Sequence, residues 1–240
     1  MPAVLVHGVP DTAQLWDAVR ARLSRADVVT PALPGFASPV PAGFDATKEA
    51  YVAWLVAEIE AIGEPVDLVG HDWGSLLVQR VVSTRPDLIR TWSAGAGTVD
   101  RDYVWHDLAQ LWQTPEVGEQ IMEAMAGDAL ADALAEQVGR AQALEVASRV
   151  DATMKDCILR LYRSAAGGFG AWHDAVDAIS RPGVVFWGAD DPYVTSEFGE
   201  RLAARTRARL VMFADSGHWW PVTKAPEVAA ALETLWAAGA

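Results

Sequence analysis

The 240-residue sequence is poor in cysteine, in basic residues and in long apolar segments. Its one cysteine, Cys157, excludes a disulfide within the chain and gives no sign of an oxidising compartment. The 19 basic residues against 32 acidic ones give a net charge of −13, which repels nucleic acids and anionic membranes. Segments of about 18 or more apolar residues and leader-type segments are absent. We therefore expect a cytoplasmic protein without a nucleic-acid or membrane partner.

Motifs of metal and cofactor sites are also missing. The sequence contains no CxxC, HExxH, GxGxxG or Walker pattern, so we expect neither a metal nor a cofactor. Apolar residues make up 51% of the chain, which is enough for a substantial core. The length suits one α/β domain with a modest insertion.

Apolar strands and amphipathic helices alternate along most of the chain. The predicted strands are residues 3–7, 26–30, 66–70, 89–95, 183–188 and 208–214. The predicted helices between and after them are residues 12–24, 46–62, 74–84, 196–206 and 226–237. This alternation predicts an α/β fold with a doubly wound, mostly parallel sheet that helices cover on both faces.

The alternation stops between residues 98 and 180, where helix starts replace strands. Thr114-Pro115-Glu116 and Asp151 are typical of helix N-termini, and the segment between them is rich in alanine. We expect residues 1–97 and 181–240 to form the core and residues 98–180 to form a helical cap, or lid. Such a cap would cover the carboxyl ends of the strands, where open parallel sheets bind ligands.

A carboxylate stands at the centre of the segment Gly70-His71-Asp72-Trp73-Gly74. The segment joins a predicted strand to a predicted helix, and its small outer residues permit a sharp turn that lifts Asp72 above the sheet. Taken alone, the same pattern also fits an aspartate that only caps the following helix.

Two later strand ends carry residues that complement Asp72. Asp191 follows the strand 183–188, and His218 follows the strand 208–214. The chain order nucleophile, acid, histidine predicts that Asp72, Asp191 and His218 form one catalytic site. Asp190 and Asp100 are alternative positions for the acid.

Together with His7-Gly8-Val9-Pro10, these motifs resemble the aspartate-nucleophile branch of the α/β-hydrolase superfamily, and the resemblance covers essentially the whole chain. In that superfamily the His-Gly-x-Pro loop follows a third strand, whereas here it follows the first. The resemblance thus implies a sheet of about six strands that lacks two N-terminal strands. The new sheet edge needs cover, for which a homodimer is one solution. The backbone N–H groups of Val9 and Trp73 are the expected oxyanion-hole donors.

The aspartate indicates the chemistry. A carboxylate that attacked an acyl group would form an anhydride, whereas its attack on a saturated carbon forms an alkyl ester. Water deprotonated by His218 would hydrolyse this ester, while Asp191 orients the imidazole. We therefore expect a small apolar substrate with an electrophilic sp³ carbon, either an epoxide or an alkyl halide.

The leaving group decides between these two substrates. An epoxide oxygen needs an O–H donor, and Tyr162 resembles a ring-opening tyrosine of epoxide hydrolases. Leu108 stands where those enzymes usually have a second tyrosine, and Tyr103 is close enough in the sequence to substitute.

A halide instead needs N–H donors, for which Trp73 with Trp105 or Trp112 would serve. We predict an epoxide hydrolase that forms a vicinal diol. The alternatives are a haloalkane dehalogenase that releases halide and alcohol, and a catalytically idle member of the fold that binds a small ligand.

Overall fold

A computed structural model describes residues 1–239. Six strands form a single sheet: β1 (Ala3–Val6), β2 (Val28–Val29), β3 (Val66–His71), β4 (Ile89–Gly95), β5 (Gly183–Gly188) and β6 (Arg209–Phe213). All neighbouring pairs are parallel, in the order β2-β1-β3-β4-β5-β6. The predicted α/β fold with a six-stranded parallel sheet is confirmed.

Helices cover this sheet. Those between the first four strands are α1 (Asp17–Arg20), α2 (Lys48–Ile62) and α3 (Trp73–Thr84). Between β4 and β5 lie α4 (Asp107–Gln113), α5 (Val117–Ala124), α6 (Gly127–Val138), α7 (Arg140–Arg149), α8 (Ala152–Ser164) and α9 (Gly170–Ala175). The last three are α10 (Ser196–Thr206), α11 (Trp220–Thr223) and α12 (Ala225–Ala238). None of the helices in residues 1–239 has the length and apolar character needed to cross a membrane.

The first predicted helix and the second strand are shorter than the sequence pattern indicates. Residues 12–24 form only a 3₁₀ turn, Ala13–Trp16, followed by the single turn of α1, because the chain then turns to bring β2 beside β1. Strand β2 has two residues, since Pro31 lacks the N–H group that would extend its pairing. Val29 of this edge strand is 45% exposed. The homodimer that would cover this edge stays a prediction.

The segment between β4 and β5 is helical. Helices α4, α5 and α8 pack together, and α6 packs on α7. Helix α8 also contacts α2, which ties the segment to the helices that cover the sheet. The division of the chain into a core and a separate cap at residues 98–180 stays a prediction.

The sheet brings three strand ends to one edge. Because the strands are parallel, the carboxyl ends of β3, β5 and β6 point the same way. These ends are His71, Gly188 and Phe213, and the chain segments that follow them carry the residues of interest. Strand β3 is buried along its whole length and β5 at all but its first residue, as expected for a sheet between two helical layers.

A buried carboxyl group connects the loop after β1 with the loop after β6. The Nε1–H group of Trp219 donates to Asp11 Oδ2 over 2.9 Å, and Asp11 is only 3% exposed. Burial raises the pKa of Asp11 from 3.8 to about 7, although the hydrogen bond from Trp219 lowers it. The folded protein therefore holds a proton at Asp11 over a pH range in which the unfolded chain has released it.

This proton makes stability depend on pH in a specific direction. Between pH 3.8 and about 7 the folded state binds more protons than the unfolded state, so the free energy of unfolding falls as the pH rises. Asp11→Asn keeps an acceptor for Trp219 and removes the titration. Relative to wild type, we expect the free energy of unfolding of this variant to increase by up to about 4 kcal/mol between pH 4 and pH 8. Urea denaturation at a series of pH values measures this, and a pH-independent difference would contradict it.

Candidate active site

Asp72 occupies a strained turn between β3 and α3. Its backbone has φ 53° and ψ −122°, and for a residue other than glycine such a conformation costs about 1–3 kcal/mol. Gly74 makes the turn possible, because a Cβ atom there would lie 2.3 Å from the carbonyl oxygen of Val6. Helix α3 can therefore begin directly against the end of β1, and Asp72 stands above the sheet.

The two oxygens of the Asp72 carboxylate have different partners. Oδ1 accepts a hydrogen bond from the backbone N–H of Val9 over 2.6 Å, while Oδ2 lies 3.6 Å from His218 Nε2. Burial alone would raise the pKa of Asp72, but the hydrogen bond and charge of His218 hold it below its usual value. The group is thus an ionised carboxylate at neutral pH, which is the form that a nucleophile requires.

His218 is held from its other side by Asp191. The distance from His218 Nδ1 to Asp191 Oδ2 is 2.9 Å, and Asp191 Oδ1 accepts from the backbone N–H groups of Tyr193 and Val194 over 2.9 and 3.0 Å. Burial would lower the pKa of His218, but Asp191 and Asp72 raise it well above 6.5. The structure therefore brings together the three residues predicted from the strand ends.

The two alternative acids lie elsewhere. Asp100 pairs with Arg201 over 3.4 Å, and Asp190 has an exposed side chain. Asp191 is thus the carboxylate that contacts His218. His71, next to Asp72, is fully buried and its Nε2 lies 2.9 Å from the carbonyl oxygen of His218, so it supports the backbone of that loop.

The two expected oxyanion-hole donors lie on either side of Asp72. The N–H group of Val9 already bonds to Oδ1. Trp73 is the first residue of α3, where a backbone N–H has no acceptor within its own helix. Its N–H is therefore available to a group beside Asp72.

An apolar cavity opens above Asp72 and His218. It contains about 90 Å³ of space that the centres of water molecules can occupy. The loops after β1, β4, β5 and β6 contribute most of its lining residues, and helices α4, α6 and α8 contribute the others together with α3 and the turns before α3 and α6. Its lining includes Val9, Asp72, Tyr103, Trp105, His106, Leu108, Trp112, Tyr162, Tyr193 and His218. Of the described residues, no cluster of three or more His, Cys, Asp or Glu could hold a metal ion.

Tyr162 lies in this cavity wall on α8. Its ring packs edge-on against Trp73 and Trp112, with centroid distances of 5.3 and 4.8 Å. Burial raises the pKa of Tyr162 well above 10, although the nearby indole N–H of Trp73 lowers it. Tyr162 therefore keeps its proton at neutral pH and can donate it to a group in the cavity.

The remaining predicted donors differ in whether their O–H or N–H group already has a hydrogen-bond acceptor. Tyr103 donates a long hydrogen bond of 3.4 Å to the carbonyl oxygen of Tyr193, and the Nε1–H of Trp105 donates to the carbonyl oxygen of Ala165, also over 3.4 Å. The Trp105 N–H group is thus directed to the backbone. The indole nitrogens of Trp73 and Trp112 are buried and have no hydrogen-bond partner within the described part of the chain.

Sequence reasoning missed His106, which also lines the cavity. It caps the N-terminus of α4, where its Nδ1 accepts from the backbone N–H of Ala109 over 3.3 Å. The only signal in the sequence is its position directly before the helix and two residues before Leu108. Histidine is not a preferred cap, so this signal is weak.

A model of the Alpha/beta hydrolase family matches residues 3–231. The chain is 27% identical over 214 residues to (E)-2-((N-methylformamido)methylene)succinate hydrolase of Acinetobacter baylyi, an alignment that covers 86% of this chain and 78% of that one. It is also 32% identical over 99 residues to a haloalkane dehalogenase of Psychrobacter cryohalolentis. That alignment covers 39% of this chain and 33% of the dehalogenase.

The fold is also similar to a solved thermophilic esterase from Thermogutta terrifontis. The TM-score is 0.81 at 20% identity, and the alignment covers 100% of this chain and 90% of the esterase. Taken with the match over nearly the whole sequence, these findings establish that the chain belongs to the Alpha/beta hydrolase family and is a hydrolase.

Proposed function

We propose that this hydrolase converts small epoxides to vicinal diols through an ester of Asp72. The observation that supports the proposal is that Tyr162 and Asp72 both line one small, apolar cavity. The relatives include an esterase and haloalkane dehalogenases, and they favour the dehalogenase alternative slightly. The choice of an epoxide rests on the side chains of this chain.

The first step forms the ester. The Val9 N–H group holds Asp72 Oδ1, which leaves Oδ2 to attack a carbon of the epoxide. The carbon–oxygen bond of the ring breaks and its electron pair goes to the oxygen, to which Tyr162 donates its proton. Burial makes Tyr162 a weaker acid than a free phenol, but the alkoxide that forms is more strongly basic than a phenolate, so the proton transfer is still favourable.

The second step hydrolyses the ester, and it follows the first because His218 becomes a base only after Asp72 has lost its charge. Ester formation removes the negative charge of Asp72, one of the charges that raise the pKa of His218. His218 then releases its proton, which returns through solvent to Tyr162, and becomes a base. It takes a proton from water, and the hydroxide adds to Cγ of Asp72.

The tetrahedral oxyanion forms on the carboxyl group of Asp72 itself. The N–H groups of Val9 and Trp73 stabilise it, and in other enzymes one such donor is worth about 2.7–4 kcal/mol. The bond between the ester oxygen and Cγ then breaks, and the leaving oxygen takes up the proton that the added hydroxide carried. The diol leaves, the carboxylate is restored with one oxygen from water, and His218 keeps the proton that it took from that water.

Haloalkane dehalogenation is the second candidate, and the tryptophans favour it. The indole N–H groups of Trp73 and Trp112 are buried without an acceptor in residues 1–239, and a departing halide accepts such weak donors. A haloalkane dehalogenase is also among the relatives. Against it, the Trp73 N–H lies near the Tyr162 oxygen, where it would stabilise the tyrosinate that remains after proton donation.

Trapping the ester tests both candidates together. We expect His218→Gln to form the ester but not to hydrolyse it, since only the second step needs a base. Intact-mass spectrometry after incubation with styrene oxide should show an adduct with the whole mass of the epoxide. With 1-bromobutane, an adduct of the butyl group alone and free bromide would instead support the dehalogenase.

The double variant Asp72→Asn/His218→Gln is the matched control and should give no adduct. Failure of His218→Gln to form either adduct would reject the ester mechanism and favour the idle binder.

Tyr162→Phe tests the proton donor. We expect the rate of ester formation with styrene oxide to fall by about 100-fold or more, because the phenylalanine ring keeps the packing but has no proton to give. Tyr51→Phe is the control: its hydroxyl donates to the carbonyl oxygen of Pro34, outside the cavity, so the rate should not change. Single-turnover mass spectrometry measures both rates. Equal rates for wild type and Tyr162→Phe would show that Tyr162 only packs in the cavity wall and does not donate the proton.

A further inference from the structure

Two buried polar side chains of α3 bind the loop that follows β4. The hydroxyl of Ser75 donates to the carbonyl oxygen of Gly97 over 2.8 Å, and the side-chain amide of Gln79 donates to the same oxygen over 2.9 Å. The Oε1 atom of Gln79 accepts the backbone N–H of Val99 over 3.4 Å. The pairing of β4 with its neighbours ends at Gly95, so these side chains replace the partners that the neighbouring strands no longer supply.

The two side chains are also bonded to each other. Ser75 and Gln79 lie one helical turn apart on α3, and the Gln79 amide donates to the Ser75 hydroxyl over 3.0 Å. Both residues are at most 1% exposed. Each polar atom of the two side chains therefore has a partner within the protein, and water does not compete for the bonds to the loop.

The loop that they hold lies against the backbone of Asp72. A Cβ atom at Gly97 would lie 2.4 Å from the carbonyl oxygen of Asp72, so the two segments are in close contact. The backbone N–H of Asp72 donates to the carbonyl oxygen of Gly95 over 3.0 Å. The end of β4 and the loop after it thus contact both backbone groups of Asp72.

Two strained residues flank this contact. Asp72 has φ 53° and Ala96 of the loop has φ 57°, and such positive values cost free energy in residues other than glycine. Relaxation of Asp72 would turn the peptide group that follows it and move its carbonyl oxygen, whose space Gly97 limits. The loop can hold Asp72 in the strained conformation only while the loop itself is held. Ser75 and Gln79 supply that hold.

We propose that Gln79 and Ser75 position Asp72 for attack, because they hold the loop after β4 against its backbone and so fix the direction of its carboxylate. The proposal rests on the ester of Asp72 proposed above, and it applies to an epoxide and to an alkyl halide alike, since the same carboxylate attacks both. Neither of the two side chains lines the cavity, so each acts through the backbone of Gly97 and not on the substrate.

The test measures how fast the ester forms when this support is weakened. In the His218→Gln background with styrene oxide, we expect Gln79→Met to lower the maximum rate of ester formation by about 10- to 100-fold, because a small misplacement of a reacting group has an effect of this size. Methionine has nearly the length of glutamine but cannot bond to the loop. The styrene oxide concentration that gives half the maximum rate should stay within a few-fold of the parent. Ser75→Ala, which leaves both bonds from Gln79 to the loop, should lower the rate less.

Leu232→Ala is the matched control for lost stability. Leu232 of α12 is fully buried in a different apolar cluster from the residues of α3, so its truncation lowers the melting temperature without a change at the loop. All rates are measured by time-resolved intact-mass spectrometry at a temperature well below the melting temperature of every variant. Under these conditions Leu232→Ala should form the ester at the parent rate.

Two outcomes would overturn the proposal while the proposed function stands. One is ester formation by Gln79→Met at the parent rate. The other is an equal loss of rate in Leu232→Ala, which would trace the effect to stability and not to the position of Asp72. If Gln79→Met does not fold, Ser75→Ala decides, and ester formation by that variant at the parent rate overturns the proposal. Absence of the ester in the parent His218→Gln protein would instead reject the proposed function, and this proposal with it.

Discussion

The close approach of the loop after β1 to the start of α3 is the constraint on which the site depends. A Cβ atom at Gly74 would lie 2.3 Å from the backbone oxygen of Val6, and one at Gly8 would lie 2.1 Å from Asp72 Oδ1. Only glycines allow this contact, which brings the Val9 N–H to 2.6 Å from Asp72. The strained backbone of Asp72 is thus held by packing on both sides, and one carboxylate oxygen is fixed before any substrate arrives.

Burial and the nearby carboxylates together determine the pKa values of the two histidines beside Asp72. His71 and His218 lie in the protein interior with their rings 4.9 Å apart, yet their pKa values shift in opposite directions. Burial lowers the pKa of His71 to about 4, whereas for His218 the two carboxylates outweigh burial. One histidine therefore stays neutral and supports the loop, while two carboxylates favour the protonated form of the other. In the proposed mechanism, loss of the Asp72 charge lowers the pKa of His218 and lets it act as a base.

Residues at strand ends could be predicted from the sequence, because parallel strands deliver their carboxyl ends to one edge whatever the details of the helices. The six strands and the meeting of Asp72, Asp191 and His218 follow from that rule. The walls of the cavity could not be predicted in the same way. The side-chain directions of Trp105, His106 and Tyr162 depend on how α4 and α8 pack against each other, which helical periodicity does not specify.

Local hydrogen bonds account for the remaining differences between the site expected from the sequence and the site in the structure. Trp105 was a candidate halide donor, but its N–H is directed to the carbonyl oxygen of Ala165. Asp11 and His106 gave no distinct signal in the sequence, because burial sets the pKa of Asp11 and its partner Trp219 is distant in the chain, while His106 accepts its hydrogen bond from the backbone of Ala109. Such contacts become visible only when the backbone is known.

The residue at the turn between β3 and α3 decides what chemistry this fold can perform. With a serine nucleophile at that turn, the carbonyl group that water attacks comes from the substrate. In the mechanism proposed for Asp72, that carbonyl group belongs to the protein, and the N–H groups beside it serve an oxyanion that forms on the side chain of Asp72. A substrate of this proposed mechanism needs no carbonyl, only a saturated carbon and a leaving atom that Tyr162 or Trp112 can stabilise. The identity of that leaving atom follows from whether O–H or N–H donors face it, and Tyr162 is one of the O–H groups that line the cavity together with Asp72.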